Sequence, residues 1–190
     1  MRRKLFRKII LLNELGGKEH LAYRFSDPDG EHTGKSGWSF GVCQFDIANN
    51  NIAILCLKEC GFSDVEISLL KKQQIPDMTG MNNRLLANKQ IIDKWDTRQI
   101  DDCLSRVGSM AKLAPFSFLD EKAFLMAADY HNQFYISKGG QFFTWAKRFI
   151  APISDYDILK YKLNQTWGLK RPDDVKRRYA NILKVMQEGV

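Results

Sequence analysis

Cysteine, histidine and proline are scarce in this chain of 190 residues, which has four, three and five of them. Cys43, Cys56, Cys60 and Cys103 make no disulfide framework, and a domain of this size buries enough surface to fold without one. They read as reduced, buried thiols. Cys56 and Cys60 stand one helical turn apart, but His20, His32 and His131 are the only imidazoles and none completes a tetrahedral site, so neither metal nor cofactor is expected. Long apolar runs are absent as well, which excludes a transmembrane segment. The start, Met1 to Leu12, opens with basic residues as a secretory leader does. Its apolar stretch, Ile9 to Leu12, is too short for a leader core and stops at Asn13-Glu14, so the chain is expected to be made in the cytoplasm without a cleaved signal. Acidic residues are also in deficit: 22 against 29 Lys and Arg leave a net charge of +7 and a pI near 9.2. That excess points to a polyanionic partner, whether nucleic acid, anionic lipid or bacterial wall polymer.

What the chain does contain is the material of a packed globule. Hydrophobic residues make up 44% and aromatic ones 12%, against 27% charged, a balance that excludes disorder. Residues 3 to 15 carry Leu5, Phe6, Ile9, Ile10 and Leu12 at helical spacing, with Arg2, Arg3, Lys4, Arg7 and Lys8 mostly opposite. Gly16-Gly17 ends or bends that helix, and a shorter helical stretch resumes through Glu19 to Tyr23. From Phe25 to Phe45 the pattern changes. Ser26-Asp27-Pro28-Asp29-Gly30 is a turn, and Gly30, Gly34, Gly37 and Gly41 punctuate short extended pieces. A helix follows Asp46 and stops at Gly61; Ser63-Asp64-Val65-Glu66 is a capping box for the next; Pro76 to Asn82 reads as loop. Further helices are expected near 83–97, 98–112, 118–136, 140–149, 155–165 and 172–187. No repeat or linker interrupts them. The expected fold is therefore α+β but predominantly helical, a single domain over residues 1–190 with a small glycine-rich β region near its N-terminus.

The segment from Glu14 to Asp46 carries the chemistry. It places a carboxylate at a helix end, then a glycine-rich β region, then Ser36-Gly37-Trp38-Ser39-Phe40-Gly41-Val42-Cys43-Gln44-Phe45-Asp46. These residues resemble the lysozyme superfamily. Gly41-Val42-Cys43-Gln44-Phe45-Asp46 is similar to the Gly-x-x-Gln segment, with an Asp two residues on, of goose-type lysozymes and lytic transglycosylases. Glu14, Tyr23, the Ser36 to Gly41 segment and Asp46 are similar to the Glu, Tyr, Ser-Gly-x-Thr-x-Gly and Asp of phage endolysins and pesticin-like muramidases, with Ser39 where those have Thr. Asp129-Tyr130-His131-Asn132 is similar to the Tyr-Asn element lining the cleft in transglycosylases.

The resemblance implies a lysozyme-like fold and a bacteriolytic glycosidase acting on the β-1,4 bond between N-acetylmuramic acid and N-acetylglucosamine. Such cleavage needs a protonated acid at the leaving oxygen and a group that meets the oxocarbenium-like transition state, commonly a second carboxylate. Glu14, near a helix end among Tyr23, Trp38 and Phe40, is placed as the acid, with Glu19 as the fallback. Asp46, read at the start of the next helix, is placed as the base or as that helix's cap. Ser39 positions the water, and Tyr23, Gly41, Gln44, Tyr130 and Asn132 bind substrate. Asp27 and Asp29 stabilise their turn, Tyr130 to Asn132 serve either substrate or a polar helix end, and Trp95, Trp145 and Trp167 belong to the core. The partners expected are the peptidoglycan strand and the anionic bacterial envelope, reached after release or delivery, with no specific nucleic acid. Two alternatives remain. One is a lytic transglycosylase in which Glu14 acts alone; the other is a basic helical module that grips nucleic-acid phosphates through Arg2, Arg3, Lys4, Arg7, Lys8, Arg171, Lys176, Arg177 and Arg178.

Overall fold

A computed structural model of the chain describes residues 1–27, 36–75 and 77–189. Among the described residues helices dominate, and the only sheet is a two-stranded antiparallel ribbon, so the architecture is predominantly helical α+β. The chain divides into two compact units. One comprises Met1–Asn13 and Ile100–Val190, the other Glu14–Gln99.

Helix α1 (Arg2–Leu15) forms where the sequence pattern places it, with Leu5, Phe6, Ile9 and Ile10 buried at helical spacing and Arg2, Arg3 and Lys4 exposed. Its last two residues, Glu14 and Leu15, open the unit Glu14–Gln99. There a short 3-10 helix (Glu19–Tyr23) leads to the ribbon of β1 (Ser39–Phe40) and β2 (Phe45–Asp46). Three helices follow: α2 (Asn51–Glu59), α3 (Asp64–Lys71) and α4 (Thr79–Ala87), before α5 (Lys89–Leu113). The Ser63 capping box is present in full, with the Ser63 hydroxyl accepting from the Glu66 amide and the Glu66 carboxylate from the Ser63 amide.

Three departures from the expected boundaries have a local reason. The helix after Asp46 begins only at Asn51, because Asn50 provides the cap, its Oδ1 accepting from the Ile52 amide at 2.9 Å. Helix α4 starts at Thr79, inside the stretch read as loop, where the Asp77 carboxylate accepts from the Thr79 amide at 2.8 Å. No break falls at 97–98, since nothing between Ile92 and Ile100 interrupts the buried stripe of α5; the break lies instead at Asn88. The turn residues Pro28, Asp29 and Gly30, with Gly34, lie outside the described residues.

The other unit is helical throughout its named elements. Besides the first part of α1 and the end of α5 it contains α6 (Glu121–Phe134), α7 (Gln141–Ala146), α8 (Asp155–Leu163), α9 (Thr166–Lys170) and α10 (Pro172–Glu188). Helix α6 is its centre: Leu125 to His131 are all buried, and α8 and α10 both pack on it. Helix α10 has Pro172 at its start and Asp173 and Asp174 in its first turn, as its sequence predicts, and buries Val175, Ile182 and Val185. All four cysteines are buried as free thiols. No described helix is long and apolar enough to cross a membrane.

Candidate active site

Glu14 stands half-buried in the last turn of α1. The helix stops one residue later because Gly16 and Gly17 take φ values of 60° and 81°, which a helix cannot continue. The Lys18 amide then donates to the Leu15 carbonyl at 3.1 Å, and the chain enters the 3-10 helix, at whose first position Glu19 is exposed.

From the 3-10 helix a chain of hydrogen bonds assembles most of the remaining site residues. The Gly41 amide donates to the Ala22 carbonyl at 2.8 Å, fixing the ribbon turn beside Tyr23. In the ribbon Ser39 pairs with Asp46 and Phe40 with Phe45, so Gly41 to Gln44 form the connecting turn. Gly41 has φ 78°, and a Cβ there would come within 2.9 Å of Asp96 Oδ1 and of the Phe45 ring. That proximity exists because Asp96, fully buried on α5, accepts from the Val42 and Cys43 amides at 2.8 and 2.9 Å. Asp96 therefore organises the turn from beneath. Gln44 also folds back on it: Nε2 donates to the Gly41 carbonyl at 2.9 Å and Oε1 accepts from Ser26 Oγ at 2.6 Å. Gly41 and Gln44 thus shape the turn itself, both ends of the Gln44 amide being engaged within it. Ser39 is 2% exposed, and its backbone exchanges two hydrogen bonds of 2.8 Å with Ser26.

Asp46 sits outside any helix, five residues before α2 begins. Its Oδ1 accepts from the Gly37 and Ala48 amides at 2.9 and 2.8 Å, and its Oδ2 from Asn49 Nδ2 at 2.7 Å. The carboxylate therefore holds the strand-to-helix connection as an acceptor, a role different from capping the helix. Asp27 accepts from Gln73 Nε2 at 2.8 Å, a partner 46 residues on.

Tyr23 is buried, and its hydroxyl donates to Asp93 Oδ1 at 2.9 Å. One edge of it lines a cavity of about 370 Å³ with His20 and Arg24 on the 3-10 helix side and Thr79, Asn82, Asn83 and Leu86 on α4. Asn82 is also the acceptor for the Phe25 amide at 2.8 Å. This hollow belongs to the same unit as Glu14 and lies within the usual range of about 300–1,000 Å³ for small-molecule sites. Reading Pro76 to Asn82 as loop concealed its α4 wall. Asp96 had a visible signal: it occupies a position of the apolar stripe Ile92, Asp96, Ile100, Cys103, where a carboxylate demands partners.

Tyr130 and Asn132 belong to the other unit. Tyr130 stacks on Phe142 with centroids 5.1 Å apart, and its hydroxyl lies 3.4 Å from that of Tyr161. Asn132 Oδ1 lies 4.0 Å from Cys103 Sγ. Their neighbours are structural. Asp129 is fully buried against Lys162 at 3.0 Å, Arg178 at 2.6 Å and Asn13 at 2.9 Å. Burial pushes its carboxyl up, but the two cations outweigh that and hold it below the usual carboxylate range. His131 is held below the ordinary imidazole value by burial, with Asp102 opposing, and its Nδ1 accepts from the Ile136 amide at 2.8 Å. Trp95, Trp145 and Trp167 are half-buried rather than enclosed in the core. Among the described residues no three His, Cys, Asp or Glu side chains gather as metal donors.

No family model, no curated protein and no solved structure matches this chain.

Proposed function

We propose that the chain is a lysozyme-like peptidoglycan hydrolase that cleaves the β-1,4 bond between N-acetylmuramic acid and N-acetylglucosamine, acting on the bacterial wall after release or delivery. The observation that carries this reading is the position of Glu14. It stands half-buried in the final turn of α1, immediately before the Gly16-Gly17 break, in the unit that also holds Tyr23, Ser39, Gly41, Gln44 and Asp46. Glu14 protonates the leaving glycosidic oxygen as the bond breaks, and Asp46 or a water beside it meets the developing positive charge on the sugar.

The hydrogen bonds of Asp46 favour a second reading beside it. Three nearby donors, the Gly37 amide before β1 and Ala48 and Asn49 after β2, already address its carboxylate. In a lytic transglycosylase Glu14 acts without it, and the sugar's own hydroxyl closes an anhydro ring. A nucleic-acid module is less well supported, because cations it needs have internal partners: Arg2 with Glu121, Arg3 with Asp101, Lys8 with Glu188, Arg177 with Asp174 and Arg178 with Asp129.

The test incubates wild-type protein and Glu14→Gln with peptidoglycan and identifies released fragments by mass spectrometry. Glu14→Gln is expected to lower release by about 10²–10⁴-fold, the usual loss for a general acid. Reducing ends mark a hydrolase and anhydromuropeptides a transglycosylase. Undiminished cleavage by Glu14→Gln removes Glu14 from the mechanism; no fragments from any of several wall chemotypes overturns the enzyme reading.

A further inference from the structure

Two neighbouring cavities in the unit Met1–Asn13 with Ile100–Val190 share three residues. The larger, about 560 Å³, is lined by Trp145, Phe149 and Tyr161 with Arg148 and Lys160 at its margin; the smaller, about 250 Å³, by Tyr130, Phe134 and Trp167. Gln141, Asn164 and Gln165 line both. The result is a groove with an aromatic wall at each end and amide side chains between.

The rings of each aromatic wall pack against one another. Trp145 lies 4.5 Å from the Tyr161 ring and 4.8 Å from that of Phe149, while Phe134 sets Trp167 edge-on at 5.2 Å. Trp145 and Trp167 remain partly exposed, so part of each indole is open to the groove. The amides are oriented as well. Asn164 Nδ2 donates to the Lys160 carbonyl at 3.0 Å, and Gln165 Nε2 to the Tyr161 carbonyl at 3.1 Å. That leaves Asn164 Oδ1 and Gln165 Oε1 as fixed acceptors with no donor among the described residues. The Trp145 indole N–H likewise has no acceptor among them. The one carboxylate in the lining, Asp157, accepts from the Ser154 amide and hydroxyl in the cap of α8, and Arg148 and Lys160 outnumber it, leaving the lining net positive.

A ligand that satisfies this set has apolar C–H faces for the indoles, hydroxyl or amide N–H donors for the fixed oxygens, acceptors for the indole N–H, and negative charge for the margin. It is also longer than one ring, because two cavities share Gln141, Asn164 and Gln165 in their linings. We propose that this groove binds a segment of an acidic, N-acetylated glycan chain. The assignment of that glycan as peptidoglycan rests on the proposed function; the chemistry of the groove does not.

The experiment measures co-sedimentation of the Glu14→Gln protein with insoluble peptidoglycan, so that the polymer stays intact, and compares Glu14→Gln/Trp145→Ala, Glu14→Gln/Trp145→Phe and Glu14→Gln/Gln165→Ala. Circular dichroism confirms that each variant is folded. Trp145→Ala is expected to weaken binding at least tenfold, Gln165→Ala to weaken it less, and Trp145→Phe, which restores a ring, to recover most of it. Soluble chitotetraose is expected to compete. Undiminished binding by folded Trp145→Ala overturns the proposal, as does competition by a single-stranded oligonucleotide but not by chitotetraose. Failure here leaves the fate of Glu14 untouched, since cleavage by wild type against Glu14→Gln is read separately.

Discussion

Asp46 has both carboxylate oxygens bonded, to the Gly37 amide before β1 and to Ala48 and Asn49 after β2, so its removal has two separable effects. Asn in its place keeps one carbonyl oxygen for the Gly37 and Ala48 amides but turns an N–H₂ toward the Asn49 amide that now donates to Oδ2. Asp46→Asn is therefore expected to lower the unfolding midpoint modestly. If Asp46 is the base, cleavage below that midpoint also falls by about 10²–10⁴-fold; if Glu14 acts alone, cleavage by the folded fraction stays near wild type. Peptidoglycan digestion beside thermal unfolding separates the two. Gly41 is subject to a purely steric constraint. Its φ of 78° and the 2.9 Å approach to Asp96 and Phe45 leave no room for a methyl group. Gly41→Ala should cost about 1–3 kcal/mol from backbone strain alone, measured by urea denaturation.

Among the elements, those whose signals are local were the ones legible in the sequence. The apolar spacing of α1, the Ser63 box of α3 and the Pro172-Asp173-Asp174 start of α10 each act within one turn, and each element stands where they place it. The place of Glu14 at a helix end follows the same rule, since it needs only the end of α1 and the glycines after it. What was not legible depends on distant partners. The hold of Asp96 on the turn of Gly41 to Gln44 is one such case, because Asp96 lies more than fifty residues away. Helix α9 was hidden for the same reason. Gly168 lies inside α9, where a Cβ would sit 1.9 Å from the Lys162 carbonyl oxygen near the end of α8. The glycine marks close approach of backbone to backbone. Gly168→Ala is expected to force α9 away from α8, with a loss of about 1–3 kcal/mol or more, because a backbone carbonyl cannot yield as a side chain does. Retention of the wild-type urea midpoint contradicts that packing.

At the scale of the whole chain, the net charge of +7 does not translate into a uniformly available cationic surface. Several cations close on internal carboxylates, and two of them, Lys162 and Arg178, are buried against the single charge of Asp129. That arrangement sets how stability responds to acid. Asp129 is held below its unfolded value of about 3.9, so its contribution is complete above that pH and is lost progressively as the pH falls below it, toward the folded value. His131 acts in the same direction at higher pH. Burial holds its folded value below the unfolded one of about 6.5, so the native state favours the neutral ring and loses stability as the pH falls from 6.5 through the folded value. The urea midpoint is therefore expected to fall in two steps, a small one beginning below about pH 6.5 and a larger one below about pH 4. His131→Asn should remove the first step alone. Asp129→Asn should flatten the second and lower stability at neutral pH by about 3–5 kcal/mol, because Lys162 and Arg178 then remain buried without their counter-charge. A profile that keeps its steep acid limb in Asp129→Asn places the acid sensitivity elsewhere and removes this cluster as its source.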